Sequence, residues 1–279
     1  MSAARRKLEF GVSIVPAEDE LDAGRAIVRA AEEGELDFVG IQDHPYQRRF
    51  LDTFALIATL LGETERLRFF PDVANLPLRP PAMMAKAAAT LDRLSGGRFE
   101  LGLGAGATAE RVAQMGGPAR SPGEAVSALE EAIQVLRLAW SDEESVSFDG
   151  EHYRLDGYEP GPPPVHRIEI WLGAYKPRML RLTGRLADGW IPSFGYLKPD
   201  GVADASARID EAAERAGRDP AAVRRAYNFG MPDGDPAETI AGWANELGLD
   251  TFVLWARDAA EAERFAAEVV PAVRAAAGP

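Results

Sequence analysis

The 279-residue chain contains no cysteine, which excludes disulfide staples, thiolate metal centres and cysteine nucleophiles. Histidine is nearly as scarce, and His44, His152 and His166 form neither an H-E-x-x-H nor any paired metal motif. Also missing are a G-x-S-x-G elbow and a Walker loop, so metal hydrolysis, serine hydrolysis and nucleotide-triphosphate chemistry have no motif to rest on. Positive charge is in deficit: 31 Lys and Arg face 44 Asp and Glu, a formal net charge of -13. That balance argues against nucleic-acid and anionic-membrane partners, which select a basic footprint. No run is long and apolar enough for a signal peptide or a bilayer span, and the expectation is a cytoplasmic protein.

What is present is a rhythm of short apolar runs alternating with amphipathic ones. Leu8–Val15, Leu36–Asp43, Leu67–Leu76, Phe99–Leu103, Ile168–Leu172, Gly189–Ser193, Arg224–Met231 and Thr251–Trp255 read as strands, each followed by a helix. Thus Phe54, Ile57, Ala58 and Leu61 give the second helix its apolar side, and Met83, Ala87, Leu91 and Leu94 form the predicted buried stripe of the third. Between units four and five, residues 141–167 break the rhythm. There Ser145–Phe148 and His152–Leu155 flank Asp149-Gly150 as a small hairpin, too short to be a domain. Eight strand–helix units in this length predict one domain over residues 1–279, a closed α/β (β/α)8 TIM barrel. A doubly wound sheet is the runner-up.

A barrel of this kind puts its site at the C-terminal ends of the strands, so the residues after each strand become candidates. The stretch Leu91–Ala109, LDRLSGGRFELGLGAGATA, delivers Gly104-Ala105-Gly106 from the fourth strand. It matches G-x-G-x-x-G/A formally, but the acidic residue that should end the next strand about twenty positions on is absent; a tight turn and a wall against a flat cofactor stay open. His44, after Asp43, is the histidine placed for proton transfer, with a structural role equally open. Pro71 inside the third strand predicts a bulge before Asp72-Val73-Ala74-Asn75. Gly173-Ala174-Tyr175-Lys176, before a helix starting at Pro177, could cradle a phosphate or be a plain turn. His152 and His166 are expected at the surface and Trp190 in the core.

The segment Pro80–Gly106, PPAMMAKAAATLDRLSGGRFELGLGAG, resembles the most diagnostic block of the bacterial luciferase-like flavin and deazaflavin oxidoreductases. Phe38–His44, Asp149–Tyr153, Ile170–Ala174, Ala187–Trp190 and Phe265–Val273 match in the same order, so the resemblance covers nearly the whole chain. It implies an oxidoreductase with a (β/α)8 barrel, commonly a homodimer, that binds the deazaflavin coenzyme F-420 or FMN and acts on a small-molecule substrate. By the same resemblance Asp72 and Val73 fall at a non-prolyl cis peptide in a bulge supporting the ring. Asp43, Asn75, Gly104 and Gly106 fall near the ring and ribityl chain, Gly173 and Ala174 at the phosphate, and His44 at a proton-handling position. The sugar-phosphate dehydrogenase branch has Glu directly after its G-x-G. Ala107 stands there, which speaks against that branch. The run Val73–Pro77 is similar to the V-T-N-P form of deazaflavin-dependent reductases and favours the deazaflavin. An FMN monooxygenase fed by a separate reductase, and a non-catalytic flavin-binding barrel, are the alternatives.

Overall fold

In the structure, a computed structural model that describes residues 6–106 and 108–277, the predicted strands close on themselves. They are β1 Glu9–Ile14, β2 Phe38–Ile41, β3 Arg68–Pro71, β4 Leu101–Gly104, β5 Ile170–Leu172, β6 Gly189–Trp190, β7 Arg224–Phe229 and β8 Thr251–Trp255. Every neighbouring pair is parallel, and β8 returns to β1 with Ser13 opposite Trp255. The third strand is broken where Pro71 predicted a bulge. Its first half pairs with β2, and after the cis Asp72–Val73 peptide a second segment, Ala74–Asn75, pairs with β4. Nine strand segments therefore occupy eight barrel positions, with a Phe69–Phe99 bridge closing the lower seam. Ala107 of the proposed branch comparison lies outside the described residues.

The barrel is filled in layers, as alternation along parallel strands requires. Phe38, Phe70, Trp171, Ile191, Ala226 and Val253 form a buried apolar plug, with Phe38 and Trp171 edge to face at 5.1 Å. Beneath it Arg224, with its Nε 2.9 Å from Glu169, also bonds Glu9 and lies against the Trp171 ring. These layers make the N-terminal end a sealed base. Chemistry is left to the opposite end.

The helices are α1 Leu21–Glu33, α2 Thr53–Glu63, α3 Pro81–Ser95, α4 Ala109–Gln114, α5 Pro122–Ala139, α6 Pro177–Leu186, α7 Val202–Arg215, α8 Pro236–Leu247, α9 Ala259–Arg264 and α10 Val270–Ala277, the last two joined by a π-helical turn Phe265–Val269. Gly104–Gly106 leads only into the six-residue α4, and α5 starts separately at a Ser121/Glu124 capping box. No long helix begins at the glycines, which removes the dinucleotide-type reading.

Helix α3 and the insertion differ from the sequence-based expectation. Met83 is 65 % and Leu94 82 % exposed; the barrel-facing arc is Met84, Ala85, Ala88 and Leu91. The arc is turned because Asp92, 0 % exposed, points inward and accepts from the Val165 and His166 N–H groups and from His166 Nδ1 at 2.6 Å. His166 is accordingly half-buried, not a surface residue, and its Nε2 lies 3.2 Å from the Glu100 carboxylate. The bond to Asp92, and then the one to Glu100, push its pKa up to about 10, against the effect of burial. The insertion is held at a second point: Glu131 on α5 accepts from the N–H groups of Glu151, His152 and Tyr153 in the hairpin turn. Its strands are Val146–Asp149 and Arg154–Tyr158.

Candidate active site

Where β1 and β7 end, two side chains converge on Asp72, which follows β3. Ser13 Oγ donates to Asp72 Oδ2 at 3.3 Å, and Asn228 Nδ2 donates to Oδ1 at 2.9 Å. Burial raises the Asp72 carboxyl to about 6, with the Asn228 and Ser13 bonds opposing the shift. The residue as a whole is half-buried, at the foot of the mouth. A raised carboxyl pKa favours the protonated folded state. The unfolded chain ionises near 3.8 and the folded one near 6, so this residue's contribution to stability falls as pH rises through that window. Asp72→Asn is expected to abolish that slope and to stabilise the protein above pH 6 by about 1–2 kcal/mol, the partial exposure being discounted. Urea unfolding at pH 4 and pH 7.5 reads the difference; parallel pH dependence in both proteins would remove Asp72 as its source.

Val73 is the centre of the floor. A Cβ on Gly104 would come 2.8 Å from Val73 Cγ2, and one on Gly173 would come 3.3 Å from the same atom. Gly106, at φ +91, faces Pro77, whose Cγ would lie 2.5 Å from an added Cβ. The glycines of the fourth and fifth strand ends thus make room for a platform built from Val73 and Pro77. That relation between distant residues has no local pattern in the sequence.

Asp43 is 1 % exposed, and its carboxylate is fully engaged. Oδ2 accepts from the Asn75 N–H at 2.9 Å, while Arg79 donates Nε to Oδ2 and Nη2 to Oδ1, each at 2.9 Å. Arg79 also reaches Asp52 and lies over the Phe54 ring. Burial works against the guanidinium's charge, but Asp43 holds it and raises its pKa overall. Asp43 therefore fixes the backbone that presents Asn75. Asn75 is itself buried with its Oδ1 unpartnered, and Asn228 Oδ1 is a second buried oxygen without a hydrogen bond.

His44 stands on the rim, half-buried. Its Nδ1 lies 3.0 Å from the Tyr46 hydroxyl, which leaves Nε2 as the nitrogen not engaged by that contact. Burial lowers the His44 pKa, partly offset by the negative Asp43, so the ring is mainly neutral at pH 7. Tyr46 is pushed up by burial and interacts with Thr108 on the β4–α4 loop. Opposite, the Tyr175 hydroxyl accepts the Ser193 N–H at 3.0 Å, and its ring lies 5.3 Å from that of Tyr196. Ala174 is buried with its carbonyl taken by Trp190 Nε1 at 2.8 Å, which places Trp190 in the core as expected.

The structure brings Asp72, Val73, Gly104 and Gly173 together around one floor, places Asn75 beside Gly106, and keeps Asp43 behind them as a support. Sequence reasoning missed Ser13, Asn228, Tyr46 and Arg79. The first two had a weak signal: each is a small polar residue near the C-terminal end of its strand, where a barrel places its site. Among the described residues no cluster of His, Asp and Glu is arranged to hold a metal ion, and no helix is long and apolar enough to cross a membrane.

Known proteins give this geometry a context. A phthiodiolone/phenolphthiodiolone dimycocerosates ketoreductase of Mycobacterium tuberculosis is 37% identical over 210 residues, 72% of this chain and 54% of that protein. The chain thus spans about half the length of such curated relatives. An F420-dependent secondary alcohol dehydrogenase solved with an F420-acetone adduct superposes with a TM-score of 0.81 at 21% identity, covering 96% of this chain and 100% of that one. A riboflavin lyase solved with modified FMN and riboflavin gives 0.83 at 15% identity, covering 97% and 92%. Identities this low speak for the fold alone. The family described as luciferase-like monooxygenase matches residues 8–267, and the chain belongs to that family.

Proposed function

We propose that this protein is a deazaflavin-dependent oxidoreductase that uses the coenzyme F-420 to interconvert a small carbonyl compound and its alcohol. The observation that carries the reading is the pair of orphaned, buried amide oxygens, Asn75 Oδ1 and Asn228 Oδ1, at the barrel mouth. A buried acceptor without a donor is costly, and a ring N–H or ribityl hydroxyl is the kind of partner such atoms need. In this reading Asn75 and Asn228 take those donors, Val73 backs the ring, and Gly104, Gly106, Gly173 and Ala174 keep the surrounding walls thin. Asp72, half protonated near pH 6, stiffens the floor through Ser13 and Asn228.

When bound, the reduced deazaflavin supplies a hydride to an electrophilic carbon. His44 handles the accompanying proton. Held by Tyr46 and mainly neutral at pH 7, it accepts a proton in the alcohol-oxidising direction and returns it to the carbonyl oxygen in the reducing one. The ketoreductase relative and the resemblance of Val73–Pro77 support this choice over FMN-dependent oxygenation. An anaerobic assay tests it: ketone-dependent oxidation of reduced F-420, read by absorbance, is the expected result. Turnover seen only with reduced FMN and oxygen would refute it.

A further inference from the structure

The loops after β7 and β8 carry no recognition motif, yet they line two cavities. One cavity of about 640 Å³ lies between Met231, Pro232, Pro236, Trp255 and Val269, and a second of about 240 Å³ lies between Ser13, Gln42, Ile27 and Trp255. Trp255 is common to both. Strand register puts it beside Ser13, which lines the smaller cavity and touches Asp72 at the floor. Trp255 is 41 % exposed at the end of a strand whose next inward residue, Val253, is fully buried in the barrel. An exposed indole lining two cavities offers an apolar wall to a ligand surface.

The charges around the outer cavity decide what kind of ligand fits. Arg257 and Arg264 face Glu261, Glu268 and Asp233, and Arg257 is already bonded to Glu261 at 2.7 Å and 3.0 Å. No surplus cation is left for a phosphate or carboxylate. We infer that the two cavities meet at Trp255 in one β7–β8 trough, which is an extension subsite for the neutral, apolar arm of the carbonyl substrate. The inference rests on the carbonyl-reductase reading, and it restricts the substrate class to uncharged ketones longer than the reacting centre itself needs.

Gly230 supplies a folding-neutral probe, because a Cβ there meets nothing within 4 Å and its φ lies outside the left-handed region. A leucine at this position would occupy the outer cavity. Calorimetric titration of the protein with 2-heptanone, 2-nonanone and 2-undecanone, with and without saturating F-420 or FMN, measures the effect apart from turnover. Affinity is expected to rise by about fourfold per added methylene in the wild type. In Gly230→Leu and Trp255→Ala that dependence should flatten, and a 2-oxo acid of equal length should bind at least about tenfold more weakly than the ketone. Affinity independent of chain length, no ketone binding under any condition, or unchanged length dependence in both variants would each overturn the subsite. Failure of both cofactors to bind would count against the proposed function instead, since the alkanone series without cofactor still reads the trough.

Discussion

Replacing Asp43 by alanine is expected to lower the unfolding free energy by about 3–5 kcal/mol, the range for removing one partner of a buried ion pair. The magnitude follows from what is stranded. The Arg79 side chain is only 18 % exposed and would keep the weaker, half-exposed Asp52 as its remaining counter-charge, while the Asn75 N–H would lose its acceptor. Asn75 would then be free to move, so cofactor affinity should fall together with stability. Asp43→Asn keeps an oxygen for Asn75 and loses the charge, and should fall between. Urea unfolding of the three proteins measures this; a loss under 1 kcal/mol for alanine would mean that Arg79 finds another partner.

His44→Asn is the second large effect. Asparagine can keep the hydrogen bond to Tyr46 but cannot carry a proton, so carbonyl turnover should drop by about 10²–10⁴-fold, the usual contribution of a positioned acid–base group. Cofactor affinity should stay nearly constant, because the ring stands on the rim and not on the floor. In the reducing direction the wild-type rate should rise as pH falls toward the lowered His44 pKa, since the donor is the protonated minority form. The variant should lack that limb. A variant as fast as wild type, with the same pH profile, would remove His44 from the mechanism.

How much of this was legible in the sequence depended on how local each relation is. Strand–helix alternation and the insertion are set by neighbours a few residues apart, and the barrel follows from counting them. The third strand's break was visible in Pro71. The stripe Met83–Ala87–Leu91–Leu94 misled because a period of 3.6 fixes that a helix has an apolar side but not which arc meets the barrel. Asp92, a charged residue drawn inward by His166, set the rotation instead.

The recognisable motif residues turn out to be largely fasteners. Asp92 ties the insertion to α3, Asp188 accepts the Ile170 N–H and bonds Arg167, and Gly189 is bare because a Cβ would come 2.6 Å from the Trp171 ring. Gly150 is bare for the same kind of reason, with Glu131 Oε2 at 2.4 Å from where its Cβ would be. Such residues identify the fold without naming its ligand. The floor itself pairs residues as far apart as Asp72 and Asn228, and only the closed barrel makes them neighbours.

A deazaflavin in the mouth between Asn75, Val73 and Asn228 is the binding event on which the proposed function stands. Titrating the purified protein separately with oxidised F-420 and with FMN, and following each chromophore's own absorbance and fluorescence, tests it most directly. Saturable binding of F-420 at least about tenfold tighter than FMN, weakened by Asn228→Ala, is the expected result. Tight FMN binding with no affinity for F-420 would contradict it.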